Sequence, residues 1–271
     1  LARFFGALLA TALVLSVATW ELNRTTFSST YLQQKAEQTQ LADHLAAGLP
    51  EALAASSATP ADTQVILEQA LTTGFIQDQV DTLLPQLEHY YKDGGSLPKL
   101  DWSGLEDRIT AAGLPVPPGL ATTLEQPQPV SAGKLDAPVT SAVQQSQQLV
   151  WTAPMAAAIL VGLVFGLARR RRWTMLAGSM LSAAFGCLAL AGLAYIPPRL
   201  ITSTLSTSSA KALEPAIRSF AEAVARDQVS VFLWAAGIMA GTGLILYIVH
   251  VSLKARERFS KKSDEQAAKK V

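Results

Sequence analysis

Four long stretches of this chain are free of charge, and they set its plan. Residues 4–20, 149–168, 173–196 and 229–252 contain no Asp, Glu, Lys or Arg. A helix of about twenty residues rises roughly 30 Å, the thickness of a bilayer's hydrocarbon core. Each run therefore predicts a transmembrane helix. Arg169-Arg170-Arg171-Arg172 fills the short gap between the second and third runs. A basic loop this short between two spans marks the cytoplasmic side of a hairpin. The plan is then a cytoplasmic 1–3, span 4–20, an extracytoplasmic 21–148, span 149–168, the arginine loop 169–172, span 173–196, an extracytoplasmic 197–228, span 229–252 and a basic cytoplasmic tail 253–271. The first run has a second reading as a signal peptide, with Ser16 and Ala18 at the small-residue cleavage positions. Both readings leave residues 21–148 outside.

Within 21–148 the pattern changes to helical amphipathicity. Phe27, Tyr31, Leu41, Leu45, Leu49 and Leu53 recur at helical spacing, predicting one helix or a broken pair, interrupted at Pro50. Thr59-Pro60-Ala61-Asp62 is a helix start, with a capping Thr, Pro at the first position and an acid in the first turn. Ile66, Leu67, Ala70, Leu71, Phe75, Val80, Leu83, Leu84 and Leu87 continue the apolar face up to a left-handed cap at Gly94-Gly95, with local breaks at Gly74 and Pro85. Ser103-Gly104-Leu105-Glu106 matches a capping box. Residues 114–137, rich in Pro and Gly, read as an extended linker, and a polar Gln- and Ser-rich helix after Asp136 runs straight into the second span. Pro197-Pro198 ends the third span. Ser208 or Ser209 then caps a helix that presents Leu213, Ile217, Phe220 and Val224 and pairs Glu214 with Arg218 and Glu222 with Arg226. That helix continues into the fourth span. The tail beyond Lys254 lacks apolar periodicity and is expected to lose regular structure at its end.

Charge sharpens this plan. Residues 21–148 hold 6 basic and 15 acidic side chains, while 1–3, 169–172 and 253–271 together hold 12 basic and 3 acidic. The separation follows the positive-inside rule, so the basic runs need no nucleic acid to explain them. Both termini are expected in the cytoplasm, at the inner (plasma) membrane. Membrane lipid is the expected partner of the spans. The single cysteine, Cys187, lies inside the third span, so no disulfide framework or thiolate metal cluster can form.

Gly162 and Gly166 in the second span, Gly178, Ser182, Gly186 and Gly192 in the third, and Gly237 and Gly241 in the fourth are small residues at helical spacing. Such rows let helix backbones approach closely in lipid. They predict packing among the spans and also allow a homo-oligomer. Tyr90, Tyr91 and Trp102 gather around the Gly94-Gly95 turn, as a surface for a partner, or else to close the domain's own small core or rest on the membrane interface. His44 and His89 have acidic neighbours but no HExxH spacing, and no GxSxG, GxxxxGKS or GxGxxG sequence occurs. No catalytic, cofactor or metal residue is assigned.

The run at 26–32, the Leu-Pro-Glu-Ala-Leu at 49–53 and the stretch from Val65 to Leu100 give the chain its resemblance to uncharacterised bacterial four-span membrane proteins of the cell envelope with a helical extracytoplasmic domain. The resemblance implies no activity. Animal claudins and tetraspanins share the outline but depend on extracellular cysteines that this chain lacks. The expected fold is all-α, four transmembrane helices with a helical ectodomain. The expected role is non-enzymatic: an ectodomain that binds a protein or envelope partner, or else an accessory subunit of a transporter, channel or membrane enzyme complex.

Overall fold

The computed structural model describes residues 2–54, 60–116, 128–129, 136–168, 171–196 and 209–268. The expectations for Thr59, Arg169, Arg170, Pro197-Pro198, Ser208 and most of the linker 114–137 lie outside the described residues. The chain is almost wholly helical: α1 (Ala2–Arg24), α2 (Ser29–Gln38), α3 (Leu41–Ala54), α4 (Pro60–Ala70), α5 (Thr73–Asp93), α6 (Ser103–Ala111), α7 (Asp136–Leu167), α8 (Arg172–Leu193) and α9 (Glu214–Ala268), with a 3₁₀ turn at Ser209–Leu213. Among the described residues one minimal antiparallel pair joins β1 (Lys99–Leu100) to β2 (Gln128–Pro129), the latter within the stretch 114–137 expected to be an extended linker. Four helices are long and apolar enough to cross a membrane, on α1, α7, α8 and α9.

The chain divides into two compact units. One comprises 1–20, 149–192 and 229–271, and the other 21–148 and 193–228. In the first unit many small side chains are buried, including Ala157, Ala183, Ala184, Cys187 and Ala236, beside Leu9, Val164 and Leu176, while Trp151, Phe185 and Trp234 stand more than 70% exposed. Large apolar side chains outside and small ones inside is the arrangement lipid favours, because packing rather than water exclusion holds such helices together. The hydroxyls of Thr11, Ser16, Thr19, Ser179 and Thr242 each donate to the carbonyl four residues earlier, so no lone hydroxyl faces the apolar surroundings at these positions.

The close helix approaches fall largely elsewhere than expected. A Cβ added at Gly186 would stand 2.6 Å from Val14 Cγ2, and one at Gly243 would meet the Ala177 carbonyl at 3.2 Å. Gly162, Gly166, Gly178, Gly192, Gly237 and Gly241 have open space beyond them. Ser182 is exposed. Of the small residues expected to pack, only Gly186 does so within the described chain. A row of glycines marks a smooth helix face but does not say which neighbour uses it.

The second unit has an ordinary core. Ala42, Leu67, Ala70, Leu71, Phe75, Ile76, Leu105 and Ile109 are buried together, with Leu45, Leu49, Leu53 and Val80 packed around them. α3 runs through Pro50, which is itself buried, so the expected interruption does not occur there. The lost hydrogen bond is tolerated, and the break falls instead at Gln40, whose φ of 50° turns the chain between α2 and α3. α4 begins at Pro60 as expected, and Gly94 closes α5 at φ 70°. Pro85 lies within a continuous α5, and the break near Gly74 falls two residues earlier, at Thr72, whose hydroxyl caps α5. At α6 the expected capping box is not used. Trp102 takes the cap position, Ser103 is the first helical residue, and Asp101 accepts from the Ser103 amide at 3.0 Å. α6 ends in a Schellman turn: Gly113 N–H donates to Thr110 O, Leu114 N–H to Ile109 O, and Leu114 rests on the core.

The 3₁₀ turn at Ser209–Leu213 packs on α3 in this unit. A Cβ added at Gly48 would stand 2.5 Å from the Ala212 carbonyl oxygen. Arg218 Nε bonds Glu222 at 2.8 Å, so Glu222 rather than Glu214 takes the Arg218 ion pair. The tail is also helical to Ala268, contrary to the loss of structure expected. Extending a formed helix costs far less than nucleating one, and Ala, Lys, Arg and Glu extend it readily.

Candidate functional site

The densest polar cluster lies in the second unit, where α1 ends, α2 begins and α9 passes. α1 does not stop with its apolar run at Trp20 but continues to Arg24, a cation placed where the helix dipole favours one. The Thr25 hydroxyl and amide both donate to the Glu21 carbonyl, at 2.7 and 2.9 Å, and close the helix. Ser28 then caps α2. Tyr31 and Lys35 are four residues apart and so share a face of α2. Both reach one oxygen of Asp227 on α9: Tyr31 Oη donates to Oδ2 at 2.9 Å, and Lys35 Nζ stands 2.6 Å from it. Gln228 Nε2 donates to Thr26 Oγ1 at 2.7 Å. Lys35 is only 14% exposed and also lies 5.8 Å from the Tyr31 ring centroid.

Burial, together with the hydrogen bond to Asp227, pushes the Tyr31 phenol above its usual range. Beside it lies Glu21, whose side chain is fully buried. Neither Glu21 carboxylate oxygen has a hydrogen-bond partner among the described residues. Arg24 attracts this carboxylate and Asp227 repels it. Burying a polar group unpaired is costly, so Glu21 is the least satisfied group in the cluster. The arrangement ties α2 to α9 through one aspartate, a clasp with a buried acid next to it.

A second anchor holds the start of α2. Glu88 on α5 accepts the Ser29 amide at 2.7 Å and Lys92 Nζ at 2.6 Å. Burial raises this carboxyl, but the bonds from Lys92 and Ser29 outweigh it and hold the group below the ordinary carboxylate range.

The residues singled out from the sequence are dispersed. Tyr90 and Tyr91 stack edge to face on each other, with centroids 5.0 Å apart. Trp102 is half-buried against the core, 6.2 Å from Phe75. It therefore serves the domain's interior. The Arg172 guanidinium lies 4.5 Å from the Phe165 ring centroid at the turn between α7 and α8, while Arg171 is exposed. His89 pairs with Asp93 at 2.7 Å on the surface, and Asp43 accepts the Thr73 hydroxyl. The expectation that no serine of this domain lies in a Ser-x-x-Lys setting does not hold, since Ser96-Leu97-Pro98-Lys99 has that spacing, but it sits on a loop running into β1, where no helical turn brings the amine to the hydroxyl. Among the described residues, no three His, Cys, Asp or Glu side chains gather where a metal could bind.

The Glu21–Tyr31–Lys35–Asp227 cluster escaped the sequence reading. Its signal was present: a carboxylate directly after the first apolar run, another directly before the last, and Tyr31 and Lys35 one helical turn apart. No protein-family model, curated protein or solved structure matches the chain.

Proposed function

We propose that the chain is an integral membrane protein of a bacterial cell envelope, with four spans and both termini in the cytoplasm, whose helical ectodomain binds a protein or envelope partner without enzymatic activity. One observation carries this reading: residues 21–148 and 193–228 form a single compact unit although two spanning-length helices separate them in sequence. Two segments can meet in this way only on the same side of a bilayer, and two spans between them return the chain to that side. The arginine-rich turn between those helices then lies on the opposite, cytoplasmic side. The unit carries its own buried core, so it is a built domain that can present a surface.

The second reading, an accessory subunit that assembles inside the membrane, is favoured by the open faces of Gly162, Gly166, Gly237 and Gly241. In-cell photocrosslinking separates the two. A crosslinker at Leu97 or Tyr90 captures the partner under the first reading, and one at Gly162 or Gly237 captures it under the second. Adducts from neither set of positions would refute both.

A further inference from the structure

The membrane-type unit contains a groove between α1 and α8 that neither reading uses. One section, at the start of both helices, holds about 380 Å³, and a second section of about 440 Å³ continues from it, with Ala7 and Ser182 lining both. Each section falls within the roughly 300–1,000 Å³ of ordinary ligand pockets. The two sections differ in chemistry. Arg3, Arg171 and Thr174 line the first section, and no acid lines either section among the described residues. The far section is lined mainly by Ala10, Val14, Leu15 and Gly186. It ends near the close approach of Gly186 to Val14. The open space beside Gly178 follows from this, since Gly178 lines the groove.

We propose that this groove is a binding site for one anionic phospholipid, with the phosphate held by Arg3 and Arg171 and an acyl chain laid along the apolar section. The charge pattern selects this occupant. Two guanidinium groups without a lining carboxylate suit a phosphate, because each presents forked donors that match its oxygens. An apolar channel leading away from them suits a hydrocarbon tail. Basic pockets between membrane helices on the cytoplasmic side bind lipid headgroups for the same reasons. A peptide would leave backbone groups unsatisfied against the apolar walls, and a free phosphate would leave the far section empty. The site thus fixes the lipid to the two helices whose ends carry the positive charge. The inference rests on α1 and α8 being membrane spans, which resistance of the chain to alkaline extraction from membranes tests separately.

The intact protein in mild detergent is titrated with dioleoylphosphatidylglycerol, dioleoylphosphatidylcholine and inorganic phosphate. Bound lipid is counted by native mass spectrometry, and a diazirine on the acyl chain maps where the lipid lies. The site predicts one phosphatidylglycerol retained per chain in preference to phosphatidylcholine, with crosslinks on α1 and α8. Arg3→Gln with Arg171→Gln, which keeps the other three arginines of the loop, weakens phosphatidylglycerol roughly 30-fold. Arg3→Lys with Arg171→Lys recovers part of that loss. Ser182→Phe fills the groove and removes the α1 and α8 crosslinks. Equal retention of both lipids, unchanged affinity in the glutamine variant, or wild-type crosslinks confined to other helices overturns the proposal. Displacement of the lipid by inorganic phosphate overturns it in favour of a free-phosphate site. Should the glutamine variant fail to fold, the wild-type selectivity and crosslink map decide alone.

Discussion

Replacing Gly48 with valine tests the junction that makes the second unit one body. Gly48 is buried in α3, and an added Cβ would stand 2.5 Å from the Ala212 carbonyl oxygen, where ordinary contact begins near 3.4 Å. The obstacle is backbone, so relief requires the 3₁₀ turn to withdraw by nearly 1 Å. Helix propensity alone favours the change, by about 0.3 kcal/mol for Val over Gly. Forced overpacking costs about 1–3 kcal/mol, and a rigid obstacle belongs near the top of that range. The net loss is about 2 kcal/mol, which corresponds to a roughly 30-fold larger population of the opened state. Hydrogen-exchange mass spectrometry on the intact protein reads this directly: amides of α3 and of residues 209–213 lose protection together, while those of α8 do not change. Gly74→Ala is the control, since nothing stands within 4 Å of its Cβ, and it leaves exchange equal or slower. Unchanged protection in Gly48→Val would refute the packing of the 3₁₀ turn on α3.

Further outcomes follow from other contacts. Gly186→Leu drives a side chain into Val14 and lowers the thermal midpoint in detergent, whereas Gly162→Leu, with open space beyond it, leaves the fold of the chain within about 0.5 kcal/mol of wild type. Tyr31→Phe costs about 1 kcal/mol in denaturant titration, below the ~1.5–3 kcal/mol of a bond to a charged group because Asp227 is 39% exposed and water replaces part of it. Glu88 is held below its ordinary 4.5, so its contribution is present above that pH and is lost as pH falls through its lower folded value. Glu88→Gln therefore flattens the acid limb of the stability profile below about pH 4.5, and an unchanged acid limb would exclude this anchor. Glu21→Gln removes the charge from an enclosed group that has no hydrogen-bond partner among the described residues and leaves stability equal or higher at neutral pH; a marked loss would show that the carboxylate is held by a partner.

The helical plan was legible because its signals are local. Chargeless runs of spanning length, Pro60 with Asp62, and the Gly94 turn act through a few neighbouring residues, and the helices follow them. The apolar face from Leu45 to Val80 also located the core, since helical period alone says which side must be buried. What escaped depends on partners far apart in sequence. Tyr31 and Asp227 meet across 196 residues, and no local pattern couples them. The glycine rows failed for a related reason: Gly237 and Gly243 look alike in sequence, yet only Gly243 faces a neighbouring helix. Pro50 misled because a proline's cost is modest when the helix around it is held by a core. The tail misled because helix extension needs no apolar face once α9 is formed.

The central claim is that residues 21–148 and 193–228 share one side of the membrane and the arginine turn lies on the other. Single cysteines in a Cys187→Ala background, at the exposed positions Ser103, Lys211 and Arg256, are challenged with a membrane-impermeant maleimide in intact spheroplasts. The account predicts labelling at Ser103 and Lys211, with Arg256 reacting only after the membrane is opened. Labelling of Ser103 and Lys211 on opposite sides, or of all three without permeabilisation, would contradict it.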